Sequence, residues 1–454
     1  MLQQKLKTAN GIAVTIKPEP FGRGGEGSVY DIVEPASYKD YCLKIYVESK
    51  QNPQQEEKLK FMVKPENIPN LKHDKYRICW PTEVIYNEEG NFVGFIMLKA
   101  FPSSELLYKL TASEKVDSSL AQNSEWKMLE YNNDYYSVLV RRMKLCTNLA
   151  IPIHSIHSLN KYALVDLKPE NILVTVDGKV SVIDLDSIQI SENGNLMFPC
   201  PVATPEYTPP EGQQSQLSLD NVIDNAPTFS IPKSTSNKLN LNEAIPVTWD
   251  RFSFAVIFYQ LLVGIHPFTA TQHNHLPDCP AVSQKIELGL FPYGRRREYL
   301  RIIPRPHLRF NELPENIKAL FYKTFDEGLD EPEKRAHASD WGKTLYETIQ
   351  RIENVLALEK PVVQNETPNP KIQNPKIQNS KNNQNIPPQT KTADTQPQKS
   401  KWLLWLFLTG IASIVLSYFL FDDKEDFAVN LFLIGSLITV VSGIIGLIKL
   451  IIKK

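Results

Sequence analysis

The sequence has little cysteine and almost no net charge, and each shortage excludes a class of protein. Five cysteines are scattered over 454 residues, their number is odd, and no two form a Cys-x-x-Cys pair. This pattern argues against a disulfide framework and a structural zinc site, and it fits a reducing compartment. The formal net charge of −1 gives no overall attraction for nucleic acid, so no nucleic-acid partner is expected.

The amino-terminal stretch MLQQKLKTANG lacks the apolar core of a secretory signal. Long apolar segments come instead at 402–421 and 428–452, and neither carries a charge before Lys449. Since twenty helical residues span about 30 Å, the sequence predicts two transmembrane helices that contact the lipid bilayer through 402–452. A buried soluble hairpin is the alternative. The flanking lysines and the acidic joint DDKEDF predict a multi-pass protein of the cell (inner) membrane with both termini in the cytoplasm.

Residues 359–401 are also short of apolar side chains. This stretch consists largely of Pro, Gln, Asn and Lys with the near-repeat NPKIQ. Such a composition buries too little apolar surface to fold, so it predicts a disordered linker.

The remaining chain changes character near residue 100. Runs such as GSVYDIV, YCLKIYV and FVGFIMLKA predict strands in the segment 12–100, with a helix at PQQEEKLKFMV. From 101 to 358 the apolar spacing is helical, as in the long stretch that begins YYSVLVRRMKL and the nearly all-apolar RFSFAVIFYQLLVG. The predicted fold class is α+β, with a small β-rich lobe followed by a mainly helical one.

A glycine-rich loop, FGRGGEGSVY, lies between two predicted strands. Its pattern comprises Gly22, Gly24, Gly25, Gly27 and Val29. A dinucleotide-binding loop leads from a strand into a helix, whereas this one leads into a strand. The strand-to-strand setting predicts a hairpin whose bare backbone can approach phosphate.

Lys44 follows in the strand YCLKIYV and resembles the strand lysine of protein kinases, which implies that it binds the α- and β-phosphates. Cys42, two residues earlier, is expected to line the adenine pocket. The expected partner of Lys44 is a carboxylate on the next helix; Glu56 is favoured and Glu57 is the alternative.

With LVDLKPENILV and VIDLDSIQI, residues from about 15 to 350 resemble a eukaryotic-like (Hanks-type) bacterial serine/threonine protein kinase. The resemblance implies a bilobal fold, with ATP and Mg²⁺ or Mn²⁺ as cofactors. It implies that Asp166 accepts the proton of the substrate hydroxyl and that Lys168 lies near the γ-phosphate. Asn171 and Asp184 match the two metal ligands.

Four further positions match the substrate-binding and structural parts of the same family. Thr204 in ATPEY matches the threonine that bonds the catalytic Asp and Lys, and Asp250 matches the buried Asp that braces the catalytic loop. Glu211 and Arg335 match an ion pair at the end of the activation segment.

The sequence departs from the family at two motifs. Leu164 and Val165 replace the His and Arg before the catalytic Asp, so activation by phosphorylation of the loop is not expected, and restoring Arg at 165 should change little. Leu185 and Asp186 replace the Phe and Gly after Asp184. Leu185 can still pack as an apolar residue, and Asp186 is either a turn former or a third metal ligand.

Several features have no assigned chemistry. The polar insert at 212–248 either gates substrate or is a passive loop. The basic run Arg295–Arg309 could contact anionic lipid, although solvated or ion-paired Arg is favoured. His154 and His157 are interpreted as helix-face residues, and His273, His275 and Cys279 as loop residues rather than a metal site.

These observations predict a membrane-anchored serine/threonine protein kinase that acts on unidentified proteins. One alternative is a pseudokinase, which binds ATP or acts as a scaffold without phosphotransfer. The second is a small-molecule kinase of the aminoglycoside-phosphotransferase type, against which the ATPEY and PPE segments and Asp250 argue.

Overall fold

The computed structural model describes residues 6–111, 115–131, 135–213, 238–239, 241–274 and 279–359. The predicted linker beyond residue 359 and both predicted membrane helices lie outside these ranges, as do 214–237 of the polar insert. Among the helices of the described ranges, none combines the length and the apolar character that a membrane crossing requires.

Strands are concentrated before residue 100, as the alternating pattern predicts. Those of the described ranges are β1 (Leu6–Thr8), β2 (Ala13–Ile16), β3 (Gly22–Arg23), β4 (Gly27–Glu34), β5 (Tyr41–Tyr46), β6 (Tyr76–Ile78), β7 (Pro81–Tyr86), β8 (Phe92–Leu98), β9 (Glu105–Leu106), β10 (Tyr162–Ala163), β11 (Ile172–Val174), β12 (Val180–Val182), β13 (Gln189–Glu192), β14 (Asn195–Phe198), β15 (Thr271–Gln272) and β16 (Leu300–Ile302).

The amino-terminal lobe is one antiparallel sheet in the order β2-β1-β7-β8-β5-β4-β3, and β2 also pairs with β4. One face of this sheet buries apolar side chains from alternate strand positions, among them Leu43, Ile85 and Ile96. A Cβ at Gly94 of β8 would overlap the carbonyl oxygen of Lys44, so glycine permits the close approach of β8 to β5.

The described helices are α1 (Pro53–Met62), α2 (Ser124–Lys127), α3 (Tyr135–His157), α4 (Thr248–Val263), α5 (Val282–Glu287), α6 (Glu315–Phe325) and α7 (Ala338–Glu359). Helix α1 begins at Asn52, whose side chain accepts a hydrogen bond from the Gln55 backbone at 3.0 Å, with Pro53 at the first helical position. It packs on β7 and β8 of the sheet.

The carboxyl-terminal lobe is built around α4. All sixteen residues of this helix are buried, as its nearly continuous apolar sequence predicts, and it ends at Gly264 in the left-handed conformation. Helices α3 and α6 pack against α4, and α7 packs on α3. An aromatic cluster at Tyr259, Phe291, Phe310 and Phe325 fills the space beneath α4.

The predicted elements form with small differences at their ends. The sheet starts with β1, before the predicted lobe boundary at residue 12, because the three-residue strand LKT is too short for its alternation to register in the sequence. Helix α4 begins at Thr248, three residues before the apolar run that predicted it.

Candidate active site

A cavity of about 1070 Å³ lies between the sheet and the strands β11 and β12. It is lined by nine of the residues that the sequence singled out: Gly22, Gly24, Gly25, Gly27, Val29, Cys42, Lys44, Asn171 and Asp184. Lys44 and Asp184, 140 positions apart in the chain, thus share one site.

The glycine loop is a tight hairpin between β3 and β4, closed by a hydrogen bond from the Gly24 backbone to the Gly27 carbonyl at 2.9 Å. A Cβ at Gly25 would meet nothing within 4 Å, so the tip of the loop is open toward the cavity. A Cβ at Gly27 would instead overlap the Ile45 carbonyl of β5. Gly27 is therefore required by strand packing, and the tip is the part that is free to approach a phosphate.

The apolar end of the cavity is formed by Val29, Met97 and Leu173 together with Cys42. The Cys42 thiol is buried and donates to the Met97 carbonyl at 3.7 Å. Burial raises the pKa of this thiol to about 12, so it is a neutral lining group and not a nucleophile.

The Lys44 ammonium lies at the polar end, and its closest partner is Asp186. Its Nζ is 2.9 and 3.0 Å from the two Asp186 carboxylate oxygens and 3.3 Å from Asp184 Oδ1, with a Glu26 oxygen at 4.0 Å. Burial by itself would lower the pKa of Lys44, but the charges of Asp186 and Asp184 outweigh burial and raise it. Lys44 is therefore a fixed cation.

Glu56, the predicted partner of Lys44, lies elsewhere. Its carboxylate accepts a hydrogen bond from the Tyr86 hydroxyl at 2.8 Å and pairs with Lys60 at 2.6 Å, and its alternative, Glu57, is exposed. The predicted pairing is wrong.

The reason is that a different face of α1 is turned toward Lys44. Helix α1 turns Gln55 and Lys58 inward, three positions apart on one face. The Gln55 amide donates to the Tyr46 hydroxyl at 2.7 Å, and that hydroxyl donates to Asp186 at 2.6 Å. The anion that meets Lys44 comes from the segment after β12 and not from the helix.

Asp184 and Asn171 are brought together by β11 and β12. The Ile183 backbone donates to the Asn171 carbonyl at 3.0 Å, and Asp184 adopts a left-handed backbone conformation with φ 60°. Burial and the neighbouring Asp186 raise the pKa of Asp184, while Lys44 opposes them. A bound cation would lower this pKa, so the carboxylate is suited to a divalent metal.

Asp166, Lys168 and Thr204 form a triangle of hydrogen bonds. The Thr204 hydroxyl donates to Asp166 Oδ1 at 2.6 Å, and Lys168 Nζ lies 2.7 Å from Asp166 Oδ2 and 2.9 Å from the Thr204 hydroxyl. Asn171 donates to the Asp166 carbonyl at 2.9 Å. The side chain of Asp166 is thereby held in one orientation beside Asn171.

The backbone before Asp166 is strained and is braced by Asp250. Val165 has φ 63°, which is rare for a β-branched residue. Fully buried, Asp250 accepts from the backbone N–H groups of Leu164 and Val165, each at 2.8 Å, and Trp249 donates to the Val165 carbonyl at 3.0 Å. These bonds offset the strain and fix the loop that carries Asp166.

His157 is a residue that the sequence interpretation missed. Its Nε2 lies 2.9 Å from Asp250 Oδ2, so it is a third partner of the brace, whereas His154 is exposed. Spacing along α3 could not distinguish the two histidines, since they lie on nearly the same helix face. The sequence also gave no sign of the contacts of Asp186 with Lys44 and Tyr46, because these residues are about 140 positions apart in the chain.

Glu211 and Arg335 form a buried two-pronged ion pair, as the resemblance implies. The guanidinium nitrogens lie 2.6 and 2.8 Å from the two carboxylate oxygens, and Arg335 also donates to the carbonyls of Gly328 and Thr248. The pair ties the end of the activation segment to the helical lobe.

Next to the Asp166 triangle lies a second cavity of about 480 Å³. Its lining includes Lys168, Thr204, Glu170 and Glu206. Within the polar insert, Lys238 donates to the carbonyls of Pro210 and Gln213 and pairs with Glu287 at 3.1 Å.

Most arginines of the basic run form ion pairs or hydrogen bonds with other residues of the chain. Arg295 pairs with Asp330, and Arg296 and Arg297 donate to the carbonyls of Leu288 and Leu300. Arg309 donates to the Val263 carbonyl, while Arg301 and Arg305 are exposed. The described residues contain no group of three or more His, Cys, Asp or Glu side chains that could hold a metal, and His275 lies outside them.

The residues present fit a nucleotide with a divalent cation. Carboxylate and amide oxygens are ligands that suit Mg²⁺, and Asp184 and Asn171 supply them at the cavity wall. Lys44 provides a fixed positive charge beside them, and the cavity has the size of a small-molecule site.

Comparisons with known proteins agree with this geometry. No family model matches the chain. It is 26% identical over 336 residues to protein kinase YegI of Escherichia coli O157:H7 and 25% identical over 329 residues to YegI of strain K12. These matches cover 72% and 71% of this chain but only 43% of either relative, so the chain spans less than half of their length.

More distant matches are also to kinases. The chain is 24% identical over 253 residues to MAP kinase-interacting serine/threonine-protein kinase 1 of Xenopus tropicalis, covering 55% of this chain and 50% of the relative. A solved ROP18 kinase domain in complex with AMP-PNP and sucrose aligns with a TM-score of 0.47 at 15% identity, over 79% of this chain and 86% of that one. The YegI matches and the site geometry together support a kinase with a kinase-like fold.

Proposed function

We propose that this chain is a serine/threonine protein kinase that transfers the γ-phosphate of MgATP to hydroxyl groups of proteins. The observation that carries the proposal is the hydrogen-bonded triangle of Asp166, Lys168 and Thr204 beside the cavity lined by Lys44, Asn171 and Asp184. Positioning and electrostatics supply most of the catalysis in phosphoryl transfer, and this site provides both.

Each residue has a distinct part in the proposed reaction. The Asp166 carboxylate orients the substrate hydroxyl and accepts its proton, and Lys168 offsets negative charge that develops nearby. Lys44 binds phosphate oxygens, and the glycine tip covers the phosphates with bare backbone. Asp184 and Asn171 would hold Mg²⁺, which when bound neutralises phosphate charge. The cavity wall of Val29, Cys42 and Leu173 receives the adenine ring.

The direct test uses purified protein with radiolabelled ATP, Mg²⁺ and a generic protein acceptor. We expect incorporation on serine and threonine, no incorporation by Asp184→Ala, and a loss of at least about 100-fold for Asp166→Asn. Asp177→Asn serves as the control, since this carboxylate pairs with Lys179 away from both cavities.

The alternatives give different results in that experiment. Tight ATP binding without transfer to protein would indicate a pseudokinase. Transfer to small hydroxylated or amino-sugar acceptors but to no protein would indicate a small-molecule kinase.

We also propose that residues 402–421 and 428–452 anchor the kinase in the cell membrane with both termini in the cytoplasm. The support is their length, their lack of charge and the flanking lysines. Protease added to inside-out vesicles should release the kinase by cutting within 361–401, and protection of that segment would contradict the topology. Arg301 and Arg305 are exposed members of the basic run, and we propose them for contact with anionic lipid.

A further inference from the structure

We propose that Asp186, in the segment that follows the metal-ligand position, is the positioning residue for Lys44, in place of a carboxylate on helix α1. The inference deepens the proposed function, since it names the residue that orients the phosphate-binding lysine.

The contacts of Asp186 carry the inference. Its carboxylate is 2% exposed and meets Lys44 Nζ through both oxygens, at 2.9 and 3.0 Å. It also accepts a hydrogen bond from the Tyr46 hydroxyl at 2.6 Å. Lys44 and Tyr46 both lie on β5, and both donate to this buried carboxylate. These bonds leave the Lys44 ammonium little freedom to move.

Helix α1 presents no acid to this site. Its inward face carries Gln55 and Lys58, and Lys58 is itself close enough to Asp186 for that charge to act on it. The helix thus contributes a neutral amide and a cation where the resemblance implies an anion. Asp186 contacts Lys44 through both carboxylate oxygens, and its charge also acts on Lys58.

A consequence concerns control of the site. Lys44 and Asp186 lie on β5 and directly after β12, next to Asp184, so the ion pair needs no movement of α1 to form. Among the described residues, the helix is connected to the pair by the hydrogen-bond chain from Gln55 by way of Tyr46 to Asp186, and by the charge of Lys58. A displacement of α1 would break this chain but would leave the Lys44 ion pair intact.

The first experiment measures the ion pair without nucleotide or metal. Full-length protein is treated with an amine-acetylating reagent, and the rate at Lys44 is measured by mass spectrometry relative to the exposed Lys343. We expect Asp186→Asn to raise this rate at least about fivefold, because an unpaired amine is more accessible to the reagent. Asp186→Glu, which keeps the charge, should raise it less, and Glu56→Gln and Asp177→Asn should not raise it.

The second experiment measures phosphotransfer. Asp186→Asn should lower kcat/KM for ATP by about 10–100-fold while the Mg²⁺ concentration at half-maximal rate stays unchanged. An unchanged acetylation rate together with a shifted Mg²⁺ midpoint would overturn the proposal and make Asp186 a third metal ligand. An effect of Glu56→Gln as large as that of Asp186→Asn would also overturn it, since α1 would then supply the partner.

Two further points keep the test decisive. If Asp186→Asn does not fold, Tyr46→Phe and Asp186→Glu replace it, and both should raise acetylation of Lys44 by a smaller factor; no increase in either contradicts the proposal. If the wild-type protein binds ATP but transfers nothing, the proposed function fails, yet the acetylation rates still decide the role of Asp186.

Discussion

At the scale of single residues, Val165 changes how the catalytic loop is understood. It stands where the resembled family has an arginine, and it is 1% exposed among Ala163, Cys200 and Trp249. The position is therefore a small apolar core and not an empty binding site for an activation-loop phosphate. This burial argues against the expectation that restoring Arg at 165 changes little.

We therefore expect Val165→Arg to destabilise the protein by about 3 kcal/mol or more, because it buries an unpaired charge. Urea unfolding followed by tryptophan fluorescence measures the free energy of unfolding. Val202→Arg is the matched control, since Val202 is 54% exposed. A Val165→Arg variant as stable as the control would show that the side chain reaches solvent.

Asp186 shows how one residue can carry a role that its neighbours in sequence do not reveal. The sequence left it as either a turn former or a metal ligand, whereas its contacts are with Lys44 and Tyr46. The motif DLD contains two carboxylates with opposite environments. Asp184 is partly exposed at the cavity, while Lys44 holds the pKa of Asp186 below its usual range despite burial.

At the scale of elements, helix α1 is unusual because it buries a lysine. Lys58 is 5% exposed on the face that meets the sheet, and burial lowers its pKa from 10.5 to about 8, although Asp186 acts in the opposite direction. The folded state therefore disfavours the charged form of Lys58 relative to the unfolded chain.

This burial predicts a dependence of stability on pH. Below about pH 8 Lys58 is protonated in both states, and between about 8 and 10.5 the unfolded chain binds more protons, so stability rises with pH. Wild type should gain about 1–3 kcal/mol over this window relative to Lys58→Met. The measurement is urea unfolding at each pH.

Lys343→Met is the control for that series, because Lys343 is exposed on α7. Parallel pH curves for wild type and Lys58→Met would mean that the Lys58 ammonium reaches water.

At the scale of the whole molecule, the core of the helical lobe contains polar side chains as well as the aromatic cluster. His307 is fully buried beneath α4, where its Nδ1 meets the Tyr259 hydroxyl at 2.7 Å and its Nε2 meets the Thr269 carbonyl at 2.8 Å. Burial lowers the pKa of His307 from 6.5 to about 4, so the imidazole is neutral in the folded protein near pH 7.

We expect this histidine to contribute to acid unfolding. Its contribution is complete above about pH 6.5 and is lost as pH falls toward 4, because the unfolded chain binds the proton first. Over that range wild type should lose up to about 3 kcal/mol more than His307→Gln. His154→Gln, at an exposed position on α3, should follow wild type, and an identical acid profile for His307→Gln would contradict the prediction.

Much of the site could be predicted from sequence because its parts are local. The glycine hairpin, the strand lysine and the loop from Asp166 to Asn171 each lie within one short segment, and backbone periodicity determines how such a segment folds. The cavity brings Lys44, Asn171 and Asp184 together as the resemblance implies. The activation-segment ion pair of Glu211 and Arg335 also forms.

The partner of Lys44 could not be predicted in the same way. The sequence contains several acids that could pair with Lys44, among them Glu56, Glu57 and Asp186. Helix spacing alone does not say which face of α1 turns inward. The same limit applied to His154 and His157, only one of which meets Asp250.

The sequence by itself determined the order of lobes and the chemical groups that each short motif presents, because those depend on residue type and on spacing along one element. Only the tertiary structure decided that Asp186 pairs with Lys44, that His157 supports Asp250 and that Val165 is buried. Each of these depends on which surfaces meet when the lobes pack. A buried charge pairs with the opposite charge that packing places within about 3 Å of it.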